Sequence, residues 1–305
     1  MISRFVFKFS AISLLAVAFA SCEGTEPCAA ESVMSEIDNP GGKVLVIAHR
    51  GDWRNAPENS IRAYSNALEM GAQILELDVR ESSDGVLINM HDATLDRTTT
   101  GKGLIREHTA SEILDLNLKD GHNYPTVHHP CSIEQVLETF RGRCVFEIDK
   151  ADGHYEELYR LAVKTGTVDQ ILLKTYLMPS ALDPVSREVI KKVRFVPCLS
   201  LDSDKCIPMI DEYIKMGACG FELTFSKETD EILVAIRNVR DNHLFFAATT
   251  LLDKWCGGRG DDRAVENDEE EECWGTLYKQ GANIFMTDRP EQMIAFFRKK
   301  GVLFK

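Results

Sequence analysis

The sequence predicts a (β/α)8 barrel, in which eight parallel strands close on themselves and helices surround them. Short apolar runs recur along the chain, and segments with apolar residues three and four apart separate most of them. Eight such strand–helix units favour a closed barrel over an open doubly wound sheet. No G-x-G-x-x-G loop follows the first run, which argues against the dinucleotide-binding form of the open sheet.

The candidate strands are short runs of mainly aliphatic and aromatic side chains. They lie at residues 44–48, 74–79, 144–148, 171–175, 194–199, 220–225, 244–249 and 283–286. After the first strand, Ile61, Tyr64 and Leu68 share one helical face and Gly71 ends that helix. The last helix begins at Pro290 and ends in basic residues, as the helix dipole favours.

Residues 84–131 interrupt the alternation between the second and third strands. Asp84-Gly85 is a turn signal, and the "VLINMHD" segment after it predicts a returning hairpin strand. The remainder is a polar insertion of loops and one short helix. In a barrel, an insertion after a strand lies over the C-terminal face, where the chemistry of this fold takes place.

The N-terminus has the pattern of a secretory signal. Arg4 and Lys8 precede an apolar stretch up to Cys22, which is too short for a stable membrane span. Ala18-Phe19-Ala20 is one cleavage site, but "FASC" resembles a bacterial lipobox, and we favour Cys22 as a lipidated N-terminus. The predicted divisions are a signal peptide (1–21), a flexible tether (22–42) and the barrel domain (43–305). They predict an exported protein, in the periplasm or as a lipoprotein of the outer membrane or cell surface, with the membrane touched only through that anchor.

Charge and cysteine content exclude some functions. A net charge of −13 and a pI of about 5.1 argue against nucleic-acid binding. The nine cysteines do not have paired metal-ligand spacing, so we expect no zinc site. Export permits disulfides. Five cysteines in or beside apolar runs are predicted to be small buried hydrophobes, namely Cys131, Cys144, Cys198, Cys206 and Cys219.

Ionisable residues gather at the ends of the predicted strands. His49 and Arg50 end the first strand, and His91 follows the hairpin strand. Glu76 and Asp78 lie two apart on the second strand, so they share one face and repel each other unless a cation lies between them. Oxygen ligands suit Ca²⁺ or Mg²⁺, although ion pairs to Arg80 or a solvated strand edge would also accommodate the pair. Glu147 and Asp149 repeat the spacing on the third strand.

These residues carry a family resemblance. The segment "HRGDWRNAPENSIRAYSNALEMGAQILELDVRESSDGVLINMHDATLDRTTTGKG" and the later "GANIFMTDRPEQM" resemble the glycerophosphodiester phosphodiesterase family, from about residue 44 to 297. The resemblance implies a metal-dependent TIM barrel. It also implies hydrolysis of glycerophosphodiesters, the deacylated phospholipids, to sn-glycerol 3-phosphate and an alcohol.

The resemblance also implies roles for single residues. His49 and His91 match the acid–base pair, although which is the acid stays open. Glu76, Asp78 and Glu147 match the ligands of one divalent cation, Ca²⁺ or Mg²⁺, with Asp149 added from the chemistry of the strand. Arg50 matches the phosphate-binding arginine. A small glycerophosphodiester is the implied partner, and attack by its own glycerol hydroxyl through a cyclic phosphate is one route.

The third strand departs from the family pattern. Most members have E-x-K there, whereas this chain has Asp149 at the third position and Lys150 after it. Strand alternation points Lys150 away from the interior unless the strand ends at that point. Lys174, at the end of the next strand, is either a replacement cation for the substrate or an ordinary surface lysine.

A glycine-rich segment after the seventh strand is expected on the active face. Trp255 or Trp274 could stack on a quaternary ammonium there, and we assign Trp255 to substrate binding. The acidic run 266–272 is expected to be a solvated helix start.

Two other functions are possible on the same scaffold. A phospholipase C- or D-like enzyme acting on intact lipid needs an apolar surface, for which only "YPTVHHP" is a candidate. An inactive binding lipoprotein should have lost a histidine or a metal ligand, and this chain keeps them.

Overall fold

The computed structural model describes residues 29–304, and its central feature is a closed parallel barrel. The strands are β1 (Leu45–Ala48), β2 (Ile74–Glu81), β3 (Leu87–Asn89), β4 (Val145–Asp149), β5 (Ile171–Thr175), β6 (Arg194–Ser200), β7 (Gly220–Thr224), β8 (Phe245–Thr249) and β9 (Ile284–Thr287). All strands but β3 pair in parallel, and β1 joins both β9 and β2, which closes the ring. The predicted (β/α)8 barrel is confirmed.

Helices follow most strands. They are α1 (Ala29–Asp38), α2 (Ile61–Met70), α3 (Ala110–Leu114), α4 (Ile133–Phe140), α5 (Tyr155–Thr165), α6 (Pro184–Val189), α7 (Cys206–Lys215), α8 (Asp230–Asp241), α9 (Asp261–Glu266), α10 (Thr276–Gln280) and α11 (Pro290–Lys299). Short 3₁₀ turns occupy Ile105–Glu107, Val168–Gln170, Pro179–Ala181 and Asp253–Trp255, and a π-turn spans Glu271–Gly275. In the part of the chain described here, no helix is long and apolar enough to cross a bilayer.

The predicted hairpin is present in the segment between β2 and β4. β3 returns antiparallel to the end of β2, with Val79 opposite Asn89. The insertion beyond it has a small core of its own, formed by Ile88, Met90, Leu95, Ile105, Ala110 and Ile113. The insertion is therefore a packed subdomain that holds the chain after β3 in place.

The barrel interior changes character along its axis. Its lower part is apolar and includes Ile74 of β2 and Val145 of β4. Two residues further along the same faces come Glu76 and Glu147, each buried. Because strand side chains alternate, these carboxylates must point into the same interior as the apolar residues below them. The fold thus builds a polar layer on an apolar floor.

Helix α1 corrects the predicted tether. Residues 22–42 were expected to be flexible, but Ala29–Asp38 is helical and buries Val33, Met34 and Ile37 against the apolar floor of the barrel. Asp38 accepts two hydrogen bonds from Arg194, at 2.8 and 2.9 Å, at the start of β6. The tether prediction is wrong here because these apolar residues lie three and four apart, which is helical spacing. The predicted signal peptide, Cys22 and the first part of the tether lie outside the described residues.

The seven cysteines within residues 29–304 are all unpaired. Cys131 and Cys144 are buried, as expected for small hydrophobes, while Cys198, Cys206 and Cys219 are half-buried.

Candidate active site

A pocket of about 630 Å³ opens where the barrel strands end. One part of its lining is ionisable, and the rest is aromatic, aliphatic or hydroxylic. The lining comprises His49, Arg50, Trp53, Glu58, Glu76, His91, Arg97, Asp149, Lys174, Tyr176, Glu222, Thr224, Thr249, Leu251, Leu252, Trp255, Met286 and Asp288. The predicted site residues His49, Arg50, Glu76, His91, Asp149, Lys174 and Trp255 are therefore brought together.

The turn after β1 presents His49 and Arg50. Arg50 has φ +54° and Gly51 has φ +77°, a left-handed pair that turns the chain sharply. A Cβ atom on Gly51 would lie 2.8 Å from the backbone of Ala63, so only glycine fits between this turn and α2. The Arg50 amide then donates to Glu76 Oε2 at 2.9 Å, which fixes the turn to β2.

His49 is held by an aspartate that the sequence reasoning did not assign. Asp288 Oδ1 lies 2.7 Å from His49 Nδ1 and accepts a hydrogen bond from Trp53 Nε1 at 2.6 Å. Burial raises the pKa of Asp288, but the His49 and Trp53 hydrogen bonds outweigh it, and the net shift is downward. An ionised carboxylate can only accept, so Nδ1 carries the proton and Nε2 is left for other partners.

The Asp288 side chain is positioned from below by a buried carboxylate. Asp261 Oδ2 accepts from the Asp288 amide at 2.7 Å and from Thr287 Oγ1 at 2.8 Å. Its other oxygen accepts from Thr250 Oγ1 at 2.6 Å and from Trp274 Nε1 at 3.1 Å. Four donors on one carboxylate fix the end of β9 and, with it, the aspartate that holds His49.

His91 has the same arrangement with a neighbouring aspartate. Its Nδ1 lies 2.7 Å from Asp92 Oδ1, and Arg97 bridges Asp92 to Glu58 with contacts of 2.6–2.9 Å. Arg80 donates twice to the His91 carbonyl, at 2.6 and 3.0 Å. Burial lowers the pKa of His91, opposed by the Asp78 carboxylate, so the ring is neutral near pH 7.

Three carboxylates form the acidic cluster, which we define as Glu76, Asp78 and Asp149. Each offers an oxygen within 4.8 Å of the other two. β2 and β4 lie in register here, with Asp78 opposite Asp149. Burial, followed by repulsion from Asp78, raises the pKa of Glu76 well above its usual range. Three carboxylate oxygens this close together suit a hard divalent cation, so the cluster is compatible with a metal site.

Glu147, the fourth predicted metal ligand, is not part of this cluster. It lies opposite Glu76 in the β2–β4 register, and its Oε2 lies 3.7 Å from Lys174 Nζ. Within residues 29–304 neither of its oxygens has a hydrogen-bond partner. Burial raises the pKa of Glu147 to about 8, against the attraction of Lys174. Lys174 is therefore the cation beside Glu147, although it makes no hydrogen bond to it.

Lys150 and Lys174 both lie beside carboxylates of the site, but they differ in exposure and in partners. β4 ends at Asp149, and Lys150 has φ +57°. Strand alternation therefore does not apply to Lys150, and its side chain is free to turn towards the interior. Its Nζ contacts Asp78 Oδ1 and lies 2.8 Å from Asp149 Oδ2. Lys174 is only 2% exposed and lies 2.6 Å from Glu222, so the surface-lysine interpretation is wrong.

The two tryptophans also differ. Trp255 lines the pocket. Trp274 is fully buried, donates to Asp261 and packs edge-on against Phe296, so it is excluded as a stacking surface for a substrate. The acidic run 266–272 spans the end of α9 and the turn before α10, where Glu271 pairs with Lys279 and Lys300 on the surface.

Sequence reasoning missed several pocket residues. Glu58, Arg97 and Asp288 fall inside the quoted family segments but received no role. Glu222 is a carboxylate in the middle of the buried strand β7, and such a residue is itself a signal of a buried ion pair.

Comparison with known proteins fits this geometry. The family model for the glycerophosphoryl diester phosphodiesterase family matches residues 49–157, and a model described as a domain of unknown function matches residues 195–297. A glycerophosphodiester phosphodiesterase from Caldanaerobacter subterraneus is 28% identical over 264 residues, covering 85% of this chain and all of the relative. The Bacillus subtilis enzyme is 38% identical over 154 residues, covering 44% of this chain; this chain spans about half of that relative, 53%.

Solved structures agree. The crystal structure of glycerophosphodiester phosphodiesterase from Agrobacterium tumefaciens has a TM-score of 0.61 and 26% identity over 83% of this chain and 99% of that one. An Oleispira antarctica phosphodiesterase was solved in complex with the product sn-glycerol-3-phosphate. It has a TM-score of 0.63 and 20% identity, covering 84% of this chain and 97% of that one. Fold and site together define a hydrolase of the TIM-barrel phosphodiesterase class. Within that class, the chain belongs to the glycerophosphodiester phosphodiesterase family.

Proposed function

We propose that the protein is a metal-dependent enzyme that hydrolyses glycerophosphodiesters to sn-glycerol 3-phosphate and an alcohol. The observation that carries the proposal is the placing of two histidine–aspartate pairs, His49–Asp288 and His91–Asp92, in one pocket with Arg50 and the acidic cluster. This pocket combines two groups able to transfer protons with a charged surface able to hold an anionic phosphodiester.

The acidic cluster would hold the cation, which would neutralise charge on a phosphoryl oxygen and contribute several kcal/mol to the reaction. Arg50 also supports phosphate binding: its Nε is buried and has no hydrogen-bond partner within residues 29–304, although it lies 3.6 Å from Asp78 Oδ2 as an ion pair. Its Nη1 is oriented by Glu58 at 3.3 Å. A guanidinium with an unsatisfied buried donor beside the pocket is suited to a phosphoryl oxygen.

The histidines divide the proton transfers between them. With Nδ1 committed to an aspartate, each ring has Nε2 available. His91 is neutral near pH 7, which suits it to take a proton from the attacking hydroxyl, whether from water or from the substrate's glycerol. His49 acts from its imidazolium form: the proton on Nε2 passes to the departing alkoxide, while Nδ1 keeps its proton on Asp288. Transfers of this kind contribute roughly 10²–10⁴-fold each.

The test is release of sn-glycerol 3-phosphate from glycerophosphoethanolamine, glycerophosphocholine and glycerophosphoinositol, compared with lyso- and diacyl-phosphatidylcholine. We expect the deacylated substrates to be turned over and His91→Asn, which keeps the ring's approximate size, to lose at least 100-fold in kcat. Turnover of all five by His91→Asn at the wild-type rate would overturn the proposal.

Intact lipid is the second candidate substrate. It is favoured by the apolar part of the pocket lining and by Tyr176 and Leu252, which are 56% and 46% exposed. The predicted "YPTVHHP" surface also exposes Tyr124 and Val127. Preference for the acylated substrates in the same assay would support this reaction instead.

Trp255 is proposed to contact the alcohol part of the substrate. Its indole lines the pocket and can stack on a quaternary ammonium. We expect Trp255→Ala to raise KM for glycerophosphocholine several-fold more than KM for glycerophosphoinositol. An equal effect on both would exclude ammonium stacking.

We also propose export and anchoring through Cys22. The supporting observation is that α1, which follows this region, lies on the apolar floor of the barrel, at the end opposite the pocket. An anchor there leaves the pocket open to soluble substrates. A Cys22→Ala variant should move from the membrane to the soluble fraction, and unchanged membrane recovery would contradict the anchor.

A further inference from the structure

Lys150 occupies the acidic cluster of the proposed metal site. The residue adopts a left-handed backbone conformation, φ +57°, which non-glycine residues rarely take. This turn brings the side chain back over the end of β4, with Nζ between Asp78 Oδ1 and Asp149 Oδ2. The lysine therefore places a positive charge on two of the three clustered carboxylates.

The hydrogen bonds of Asp78 show what this contact means for a metal. Asp78 is fully buried, and Asn59 Nδ2 already donates to its Oδ2 at 2.9 Å. Lys150 covers the other oxygen. Neither oxygen of Asp78 is therefore free of a donor. A divalent cation that uses Asp78 Oδ1 must displace the ammonium or share the oxygen against charge repulsion.

The surroundings of Lys150 allow such a displacement. Its side chain is 21% exposed, unlike that of Lys174, which is 2% exposed. It also borders a second cleft, separate from the main pocket, whose lining includes the carboxylates of Glu81 and Asp152 as well as Arg80 and Arg106. A displaced ammonium would therefore reach solvent in a cleft whose acidic and basic side chains are balanced in number.

We propose that Lys150 is a resident counter-ion that competes with the divalent cation for Asp78 and Asp149. It holds the cluster together when no metal is bound, and it weakens metal affinity because each binding event must break its contacts. This inference rests on the metal site of the proposed function. It assigns Lys150 a positioning role, since the residue acts through the carboxylates.

The experiment measures Ca²⁺ and Mg²⁺ affinity of the full chain by calorimetry, together with Tm with and without metal. The variants are Lys150→Asn, Lys150→Arg and the control Lys299→Met, an exposed lysine at the end of α11. Asparagine tolerates the left-handed backbone and removes the charge. We expect Lys150→Asn to bind metal at least tenfold more tightly and to have a lower metal-free Tm that saturating metal restores. Lys150→Arg, which keeps the charge, and Lys299→Met should stay within about twofold of the wild type.

Each outcome has a distinct meaning. Equal or weaker metal binding by Lys150→Asn would overturn the competition while leaving the metal site in place. If the wild type binds neither cation and turns over substrate in chelator, the metal site of the proposed function fails, and the inference fails with it. If Lys150→Asn is too unstable without metal, urea unfolding at a series of metal concentrations gives its affinity through linkage.

Discussion

Replacing Asp288 with asparagine tests whether the His49 pair needs its charge. Two hydrogen bonds converge on Asp288 Oδ1, from His49 Nδ1 at 2.7 Å and Trp53 Nε1 at 2.6 Å. An asparagine carbonyl can accept both, and the residue's amide still donates to Asp261. The substitution therefore removes mainly the negative charge that stabilises the imidazolium form of His49, from which the proton is donated.

The size of the effect follows from that contact. A hydrogen bond to a charged group contributes about 1.5–3 kcal/mol. At about 1.4 kcal/mol per tenfold change in rate, Asp288→Asn should lose roughly 10- to 150-fold in kcat. KM should change little, because Asp288 holds only the histidine. Phosphate binding is assigned to Arg50 and to the cation that the acidic cluster would hold.

The assay is steady-state release of sn-glycerol 3-phosphate, with Asp262→Asn as the matched control. Asp262 is its neighbour in the fold, 73% exposed at the side chain, and pairs with Arg54 and Arg289 on the surface. The control should stay within twofold of the wild type. If Asp288→Asn keeps the wild-type kcat, or changes only KM, the charge of Asp288 does not assist His49 during turnover.

Three further predictions concern Asp261, helix α1 and Arg97. Burial raises the pKa of Asp261 to about 7, despite hydrogen bonds that lower it. Between about pH 4 and 7 the folded state thus holds a proton that the unfolded state has lost, so stability falls as pH rises through this window, by about 4 kcal/mol. Urea unfolding of wild type and Asp261→Asn against pH checks this, and a constant difference between them would contradict it. A chain that begins at residue 43 should lose about 4.5–9 kcal/mol relative to one that begins at Ala29, because the buried side chains of Val33, Met34 and Ile37 contribute about 1.5–3 kcal/mol each; equal urea midpoints would refute this. Arg97→Met should lower kcat about tenfold, because it releases Asp92 from Glu58. An unchanged kcat would mean that the Arg97 bridge does not help to position His91.

The strands and the pocket were largely predictable because their signals are local. Apolar runs of four to six residues end at similar positions in the structure, as with Ile171–Thr175. Alternation placed Glu76 and Asp78 on one interior face, and the C-terminal ends of parallel strands then had to meet. The barrel confines these residues to one mouth, so their assembly needed no long-range information.

What the sequence did not predict depends on backbone conformation and on contacts between distant segments. Lys150 enters the acidic cluster only because its backbone turns left-handed where β4 ends. Asp288 reaches His49 across 239 positions of sequence, and the polar stretch around α1 concealed a face that fits the barrel floor. Glu147 shows the same limit, since its spacing along the strand did not reveal that its oxygens lie outside the acidic cluster, near Lys174.

The central claim is that the histidine pairs and the acidic cluster act together in one metal-dependent site. Its most direct test starts from metal-stripped protein and follows sn-glycerol 3-phosphate release from glycerophosphoethanolamine as Ca²⁺ or Mg²⁺ is added, beside His49→Ala and Asp78→Asn. We expect no release in chelator, saturable release with at least one cation, a loss of at least 100-fold in His49→Ala, and a requirement for more metal in Asp78→Asn. Release that continues in chelator, or that survives in both variants, would contradict it.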